Sequence, residues 1–381
     1  MPESPPDPFP NPLHDLHQQA EAEFQAYAEL PIVSTFGEPQ AEYAAIHKGA
    51  ALLDQPFRGV LELTGKDRHS FLNNLITNQV WDKEKKVGLA TGEGVYAFFL
   101  NTKGRVVVDM NVLEIGDRLL LEMDARHVES TRIAFEKFRF VEKVTLENVI
   151  GKRHELAIHG PSAAQVLGLT EPLAPMQNRA IRLFDIDIIV WRDDPTGQPG
   201  YQIIVDTASA VPLWTILLES FGQVTGIGKR PLRPIGWAAF NATRIEAGRP
   251  LFGIDFDDSV LPAETGQLAR AVSFTKGCYL GQEVVARMHA RNVVARQIVG
   301  IRMNDDSLPM AGSHIFAPDG SNNQIGGITS STISPILSNA SICLGILKKA
   351  FIAPGSMVEI PAEGAMRKGT VVELPFTNGT M

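Results

Sequence analysis

A predicted hairpin constrains the fold of this chain more than any other feature of its sequence. Strands are predicted over residues 94–100 and 105–113, and the turn between them, Asn-Thr-Lys-Gly at 101–104, ends in glycine. Further predicted strands follow, interrupted by single helices such as 126–138. Hairpins interrupted by single helices fit an antiparallel α+β fold better than a doubly wound parallel sheet.

Changes in composition divide the chain into five predicted units. Residues 1–12 are acidic and rich in proline, without the charged and apolar regions of a signal peptide, and predict a disordered tail. Helical spacing of apolar residues predicts helices over 13–30 and 40–53. After the tail, the predicted units are a first lobe over 13–150, a second α+β lobe over 151–235, a segment over 236–296 that completes the body, and a small C-terminal β-barrel over 297–381.

Composition excludes several classes of function. A net charge of −8 argues against a general nucleic-acid binder. The two cysteines are too few for a disulfide framework or for an iron–sulfur cluster of the chain's own. The histidines are scattered, so no intrinsic metal is expected. No apolar stretch of membrane-spanning length occurs, and we expect a cytoplasmic protein with no membrane partner.

A cysteine block near residue 280 is the strongest local signal for chemistry. The block reads Lys276, Gly277, Cys278, Tyr279, Leu280, Gly281, Gln282 and Glu283. A helix is predicted over 282–290, and a helix N-terminus with a nearby lysine favours thiolate. Glu283 opposes that ionisation. Cys278 is therefore either a reactive thiol or a small buried apolar residue, as expected of Cys343.

Several blocks in a fixed order resemble the folate-binding family of the glycine-cleavage T-protein. The blocks are Ala-Leu-Leu-Asp at 51–54, Leu-Thr-Gly at 63–65, Phe-Leu-Asn-Asn-Leu-Ile-Thr-Asn at 71–78, the turn at 100–104 with Asp109, and Arg-Ile-Glu-Ala-Gly at 244–248 with Pro-Ala-Glu at 262–264. The resemblance covers roughly residues 30–360. It implies a T-protein-like folate-binding fold of antiparallel sheets with helices, plus a small C-terminal β-barrel.

The cysteine block is similar to the signature of the YgfZ-type branch of that family. This resemblance implies a tetrahydrofolate-binding accessory protein for the assembly or maintenance of iron–sulfur enzymes, including enzymes that modify tRNA. Cys278 would then be its reactive thiol, and its partners would be folate and, transiently, iron–sulfur enzymes or assembly proteins. The alternatives are a T-protein-like aminomethyltransferase that moves a one-carbon unit to tetrahydrofolate, and a scaffold that uses folate only as a structural ligand.

The resemblance also implies four folate-binding residues. Asp109 matches the carboxylate that faces the reactive nitrogen of folate, and Tyr96 matches an aromatic wall of the pocket. Arg244 would hold the anionic tail of the ligand. Gln202 stands where T-proteins carry a glutamate that contacts the pterin, and Pro195 stands where their loop has tyrosine. Because glutamine lacks the charge of that glutamate, pterin contacts should be weaker or rearranged.

Overall fold

The computed structural model describes residues 9–223, 231–291 and 294–377. Its strands are β1 (Glu23–Tyr27), β2 (Leu30–Thr35), β3 (Ala50–Asp54), β4 (Arg58–Thr64), β5 (Trp81–Asp82), β6 (Val87–Gly88), β7 (Gly94–Leu100), β8 (Val106–Glu114), β9 (Arg118–Asp124), β10 (Thr145–Asn148), β11 (Arg153–His159), β12 (Asn178–Leu183), β13 (Ile186–Arg192), β14 (Gly200–Asp206), β15 (Leu232–Ile235), β16 (Arg296–Met303), β17 (His314–Phe316), β18 (Gln324–Ser334), β19 (Ala340–Lys348), β20 (Met357–Ala362) and β21 (Ala365–Val372). The α-helices are α1 (His14–Gln19), α2 (Pro39–Lys48), α3 (Arg68–Asn73), α4 (Ala125–Glu136), α5 (Ala163–Val166), α6 (Thr207–Phe221), α7 (Trp237–Glu246), α8 (Leu268–Ala271) and α9 (Gln282–Arg291).

The first sheet is antiparallel, with strand order β10-β4-β9-β8-β7. It contains the hairpin predicted from the sequence, now seen as β7 and β8. One face packs on α4, which begins after Asp124, whose carboxylate accepts a hydrogen bond from the Arg126 amide at 3.0 Å. Such a cap satisfies an amide that the first turn of a helix leaves without a partner. The sheet and its capped helix form one half of the body.

The second sheet has the order β12-β13-β14-β11-β3-β15 and is antiparallel except for the β15–β3 pair. Its strand β3 precedes residue 150 and so belongs to the predicted first lobe, yet it pairs with β11 of the predicted second lobe. The second sheet therefore contains strands from both sides of the predicted boundary. The two sheets face each other across an apolar layer. This layer contains Val60, Leu113, Leu120 and Val149 from the first half of the chain and Trp191 and Ile204 from the second.

The C-terminal strands form a closed barrel of order β16-β19-β18-β17-β20-β21. Closure leaves this small sheet without an unpaired edge. Cys343 lies in its core, where burial raises the pKa of the thiol to about 12. The architecture is thus the α+β body with a C-terminal barrel that the sequence predicts. Among the described residues, no helix is both long enough and apolar enough to cross a membrane.

Two predicted helices near the N-terminus are wrong in part. The helix predicted over 13–30 ends at Gln19, and the remainder forms the β1–β2 hairpin, with positive φ at Glu21 and Ala28. The helix predicted over 40–53 stops at Lys48, and the fully buried β3 follows. Tertiary burial overrides helical spacing at both places, since Tyr27 and β3 both pack in the core of the body.

The predicted disordered tail over 1–12 lies mostly outside the described residues. Its described part contacts the folded body: Phe9 packs against the cluster that contains Tyr27, and the side-chain amide of Asn11 donates to Asp54 at 2.9 Å. Asp54 is buried and also contacts the rings of His17 and His154 at 2.9 and 2.7 Å. These contacts fix the start of the described chain to the second sheet.

Candidate functional site

A cavity is lined by residues of both sheets. It contains about 680 Å³ of empty space, which includes the space at its open mouth. The first sheet supplies polar side chains from β4, β7, β8 and β9, and the second supplies Trp191 and Gln202. Tyr27 of the β1–β2 hairpin and the 249–252 segment complete the wall. A cavity in which apolar walls meet several convergent polar groups is typical of a small-molecule pocket.

Asp109 is the central carboxyl group of this cavity. The hydroxyl of Tyr96 donates to its Oδ2 at 2.8 Å, and the Arg270 guanidinium stacks on the Tyr96 ring, with Cζ 3.9 Å from the ring centroid. Burial raises the pKa of Asp109, and the nearby charge of Arg58 and the Tyr96 hydrogen bond offset this only in part. Asp109 is thus held in one orientation, with a higher proton affinity than an ordinary aspartate.

A second charged cluster lies across the cavity at Asp193. The Arg249 guanidinium donates to its carboxylate, and Arg270 lies 3.8 Å from the same oxygen. Burial alone would raise the pKa of Asp193, but the two guanidinium groups outweigh it and the pKa is lowered. His159 is buried nearby, and desolvation lowers its pKa to about 4. Asp193 is therefore a carboxylate at neutral pH, and its role is to orient the two arginines.

Arg58 and Glu122 form an ion pair beside Asp109. The Nε of Arg58 donates to Glu122, whose other oxygen accepts from the Asn111 amide at 2.6 Å. Glu155, from the facing sheet, is also buried, and burial and the charge of Glu122 raise its pKa well above the ordinary range. Glu155 therefore holds a proton more strongly than an ordinary glutamate does.

Three buried polar atoms of the cavity lining have no hydrogen-bond partner within the described parts of the chain. They are Asp109 Oδ1, Asn111 Oδ1 and Trp191 Nε1. Leaving a buried polar atom unpaired costs about 1–3 kcal/mol, so such groups in a cavity mark positions where a ligand or water binds. Two acceptors and one donor in this lining fit a ligand that carries both N–H groups and an acceptor.

The cavity brings together three of the four predicted folate-binding residues. Tyr96, Asp109 and Gln202 all line it, as does Pro195, and Gln202 is paired with Trp191 across neighbouring strands. Their contact with folate stays a prediction. Because the three side chains line one cavity, a single ligand could contact all of them.

Arg244 does not fit its predicted role at the tail of the ligand. Its side chain has no exposed surface, and its Nη1 donates to Asp255 at 2.6 Å. Its Nε donates to Asn241 at 2.9 Å and its Nη2 to Ser330 at 2.7 Å. Because its donors are engaged inside the protein, Arg244 joins α7 to the barrel and is a structural residue.

Sequence reasoning missed the cations that do line the cavity, Arg58, Arg249 and Arg270. A signal for Arg58 was present, because a charged residue begins a strand whose apolar residues Val60, Leu61 and Leu63 indicate burial. The same holds for Glu122 within β9, which is otherwise buried and apolar along most of its length. Charged residues inside buried strands need partners, and here these partners are each other.

The cysteine block lies beside the 101–104 turn, and Cys278 is exposed and does not line the cavity. Helix α9 begins at Gln282 as predicted, with Glu283 in its first turn. Gly281 has φ +79°, and a Cβ there would lie 2.7 Å from the Asn101 carbonyl oxygen, so this position requires glycine.

The expectation that Lys276 stabilises a thiolate at Cys278 is wrong. The lysine side chain is buried, and its Nζ donates to the Ile76 and Asn78 carbonyl oxygens at 2.6 and 3.0 Å and lies 5.0 Å from the centroid of the Tyr279 ring. Desolvation lowers the pKa of Lys276 to about 7. Its ammonium therefore points into the protein, whereas Gly277 and Cys278 are exposed.

No group of three or more His, Cys, Asp or Glu side chains in the described ranges is arranged to hold a metal ion.

Comparison with known proteins identifies the family. The GCVT N-terminal domain family matches residues 13–276, and the glycine cleavage T-protein C-terminal barrel domain family matches residues 296–378. Among curated proteins, the chain is 29% identical to an aminomethyltransferase of Caldanaerobacter subterraneus subsp. tengcongensis, over 96% of this chain and 95% of that protein. It is 30% identical to an aminomethyltransferase of Geobacillus sp. (strain WCH70), over 91% and 92% of the two chains.

A solved structure has the same fold. The crystal structure of the glycine cleavage system aminomethyltransferase T from Bartonella henselae superimposes with a TM-score of 0.83 at 24% identity, over 96% of this chain and 97% of that one. The two family matches together span both the two-sheet body with its cavity and the closed barrel. The chain belongs to the glycine cleavage T-protein family.

Proposed function

We propose that this chain is a folate-dependent transferase that moves a one-carbon unit to tetrahydrofolate bound in the cavity between the sheets. The observation that carries the proposal is Asp109, a buried carboxyl group of the cavity lining that is held by Tyr96 and whose other oxygen has no hydrogen-bond partner among the described residues. The relatives named aminomethyltransferase support an aminomethyl group as the donor of that unit.

Asp109 supplies the acid–base chemistry that such a transfer needs. When the carbon of an aminomethyl donor forms bonds to two nitrogens of tetrahydrofolate, its bond to the carrier and its bond to the amine both break. The two nitrogens each lose a proton, and these protons leave with the released carrier and with ammonia. A carboxyl group within hydrogen-bond reach can accept such a proton, and a pKa raised towards neutrality makes it more effective. Tyr96 fixes the orientation of the carboxyl group, and Arg270 holds the Tyr96 ring.

Gln202 weakens one pterin contact without removing it. A glutamine offers both an N–H donor and a carbonyl acceptor, but a neutral hydrogen bond is roughly half as strong as one to a carboxylate. Gln202 lies next to Trp191, whose unpaired Nε1 adds a donor to the same wall. We therefore expect tetrahydrofolate to bind with its ring against this wall.

The proposed activity predicts that the purified chain binds tetrahydrofolate saturably at micromolar protein. With purified glycine-cleavage partner proteins, it should also form methylene-tetrahydrofolate in a glycine-dependent reaction. Binding is measured by fluorescence or calorimetric titration, and product by chromatography. Absence of saturable binding would contradict the proposed folate site. Binding without product would contradict the proposed aminomethyl transfer but would leave the folate site supported.

A second candidate function rests on Cys278. Its thiol is exposed in the block that resembles the YgfZ-type branch, on a segment anchored by Lys276 and by the glycine at position 281. An exposed thiol on an anchored segment suits contact with a partner protein, and the proposed role is an accessory factor for iron–sulfur enzymes. The surroundings of the Cys278 thiol do not indicate a particular reaction, because the Lys276 ammonium points away from the thiol.

This second function predicts that Cys278→Ala fails to restore an iron–sulfur-dependent enzyme activity in cells lacking the protein. Cys278→Ser keeps the size of the side chain, and Asp109→Ala tests whether folate chemistry is needed as well. Buried Cys343 provides the control, since Cys343→Ala should lower stability without a specific effect on the enzyme. Full restoration by Cys278→Ala would rule out the thiol as the working group.

A further inference from the structure

Arg58 is a partly buried cation of the cavity whose hydrogen-bonding capacity is only partly used. Its Nε donates to Glu122, and 17% of its side chain is exposed, toward the cavity it lines. Within the described ranges, its two terminal nitrogens make no hydrogen bond. A guanidinium has five N–H donors in a fixed plane. The contact of Nε with Glu122 therefore also fixes the directions of the N–H groups on the two terminal nitrogens.

The acceptors beside Arg58 decide what kind of group it can hold. Asp109 Oδ1 and Asn111 Oδ1 are both buried without a hydrogen-bond partner in the described part of the chain. Both belong to β8, on the face that carries Arg58 and Glu122. The ligand must therefore bring an oxygen or nitrogen acceptor for Arg58 and N–H donors for its neighbours. A carboxylate tail offers acceptors only, whereas the lactam edge of a 4-oxo-pterin offers a carbonyl oxygen flanked by N–H groups.

We infer that Arg58 is a specificity-determining residue that donates to the 4-oxo group of the bound pterin, in the orientation set by its ion pair with Glu122. The inference rests on the proposed binding of tetrahydrofolate. The Glu122 contact supports it, since a hydrogen bond at Nε fixes the plane of the Arg58 guanidinium. A ligand carrying an amino group at the same ring position would place donor against donor.

Ligand selectivity tests this assignment. The wild-type chain should bind tetrahydrofolate and a tail-less tetrahydropterin more tightly than their 2,4-diaminopteridine counterparts. Arg58→Lys keeps a charge for Glu122 but loses the planar set of donors. We expect it to weaken binding of the 4-oxo ligands by about tenfold or more and to remove most of the preference over the diamino ligands.

A second variant guards against misfolding, and a matched control tests specificity. Arg58→Met with Glu122→Gln removes both charges together, so that no buried charge is left unpaired, and should show the same loss of preference. Arg118, which pairs with Glu62 at 2.6 Å on the same sheet outside the cavity, provides the control, and Arg118→Lys should leave both affinity and preference unchanged.

The outcomes separate this inference from the function on which it rests. If the wild-type chain binds no 4-oxo ligand, the proposed function itself is overturned, and the assignment of Arg58 with it. If the wild-type chain binds but both Arg58 variants keep its preference, the assignment alone is overturned. A loss confined to the tail-bearing ligand would place the tail carboxylate at Arg58 and would also overturn the assignment.

Discussion

Asp109→Asn should lower the turnover number of one-carbon transfer by about 10²–10⁴, the range by which a positioned proton-transfer group accelerates a reaction. Asparagine has nearly the size of aspartate and can still accept the Tyr96 hydrogen bond, so the wall of the cavity keeps its shape. Tetrahydrofolate affinity should therefore fall far less than turnover. Steady-state kinetics together with a binding titration measure the two effects separately.

The same substitution should leave the protein as stable as before, or more stable. The folded-state pKa of Asp109 is raised, so its stabilising contribution is complete only at pH below the ordinary aspartate range and is lost as pH rises through the raised value. At neutral pH the buried carboxylate therefore opposes folding, and the neutral asparagine removes that penalty. Loss of activity without loss of stability is the pattern expected of a group retained for function.

The pH dependence gives an independent test of Asp109. If it accepts a proton in the reaction, turnover should increase with pH through its raised pKa, and the Asn variant should lack that limb. Asp117, which is largely exposed at a turn of the same sheet, is a suitable control, and Asp117→Asn should change neither profile nor stability. A pH profile that is the same in the wild type and in Asp109→Asn would exclude Asp109 as the titrating group.

Strand geometry is local, so the sequence alone could have placed this wall of the cavity. Alternate residues of a strand point to the same face, so Asp109 and Asn111 must share a face of β8. A two-stranded hairpin then fixes the register, and Asn111 lies opposite Tyr96. One tight turn and one polar pair in an apolar strand are therefore enough to place this wall of the cavity.

The rest of the site depends on contacts between distant segments, which local patterns do not encode. From the sequence, Lys276 is expected to be an exposed cation beside a thiol. In the structure, its ammonium group instead donates to carbonyl oxygens just after α3, some 200 positions earlier in the chain. The β1–β2 hairpin has helical spacing in sequence, but Tyr27 is held by a 2.8 Å hydrogen bond from its hydroxyl to Asp124. In both cases, tertiary packing outweighs local preference.

Arg244→Met should lower the free energy of unfolding by about 3–5 kcal/mol, as expected when one partner of a buried ion pair is removed. Both side chains of the Arg244–Asp255 pair have no exposed surface. Without the guanidinium, Asp255 remains a buried charge whose other partners are the Thr329 and Ser330 hydroxyls, each at 2.7 Å, and one backbone amide. Urea unfolding would measure the loss.

Two further variants distinguish a structural role for Arg244 from the ligand contact that its position in the family suggested. Arg244→Met combined with Asp255→Asn should lose less than the sum of the two single changes, because the pair acts as a unit. Arg302→Met, at an exposed arginine of the barrel, should change stability by no more than about 0.5 kcal/mol. If Arg244→Met instead kept full stability and lost tetrahydrofolate affinity, its guanidinium would have to reach the ligand, and the buried pair with Asp255 would not be its main role.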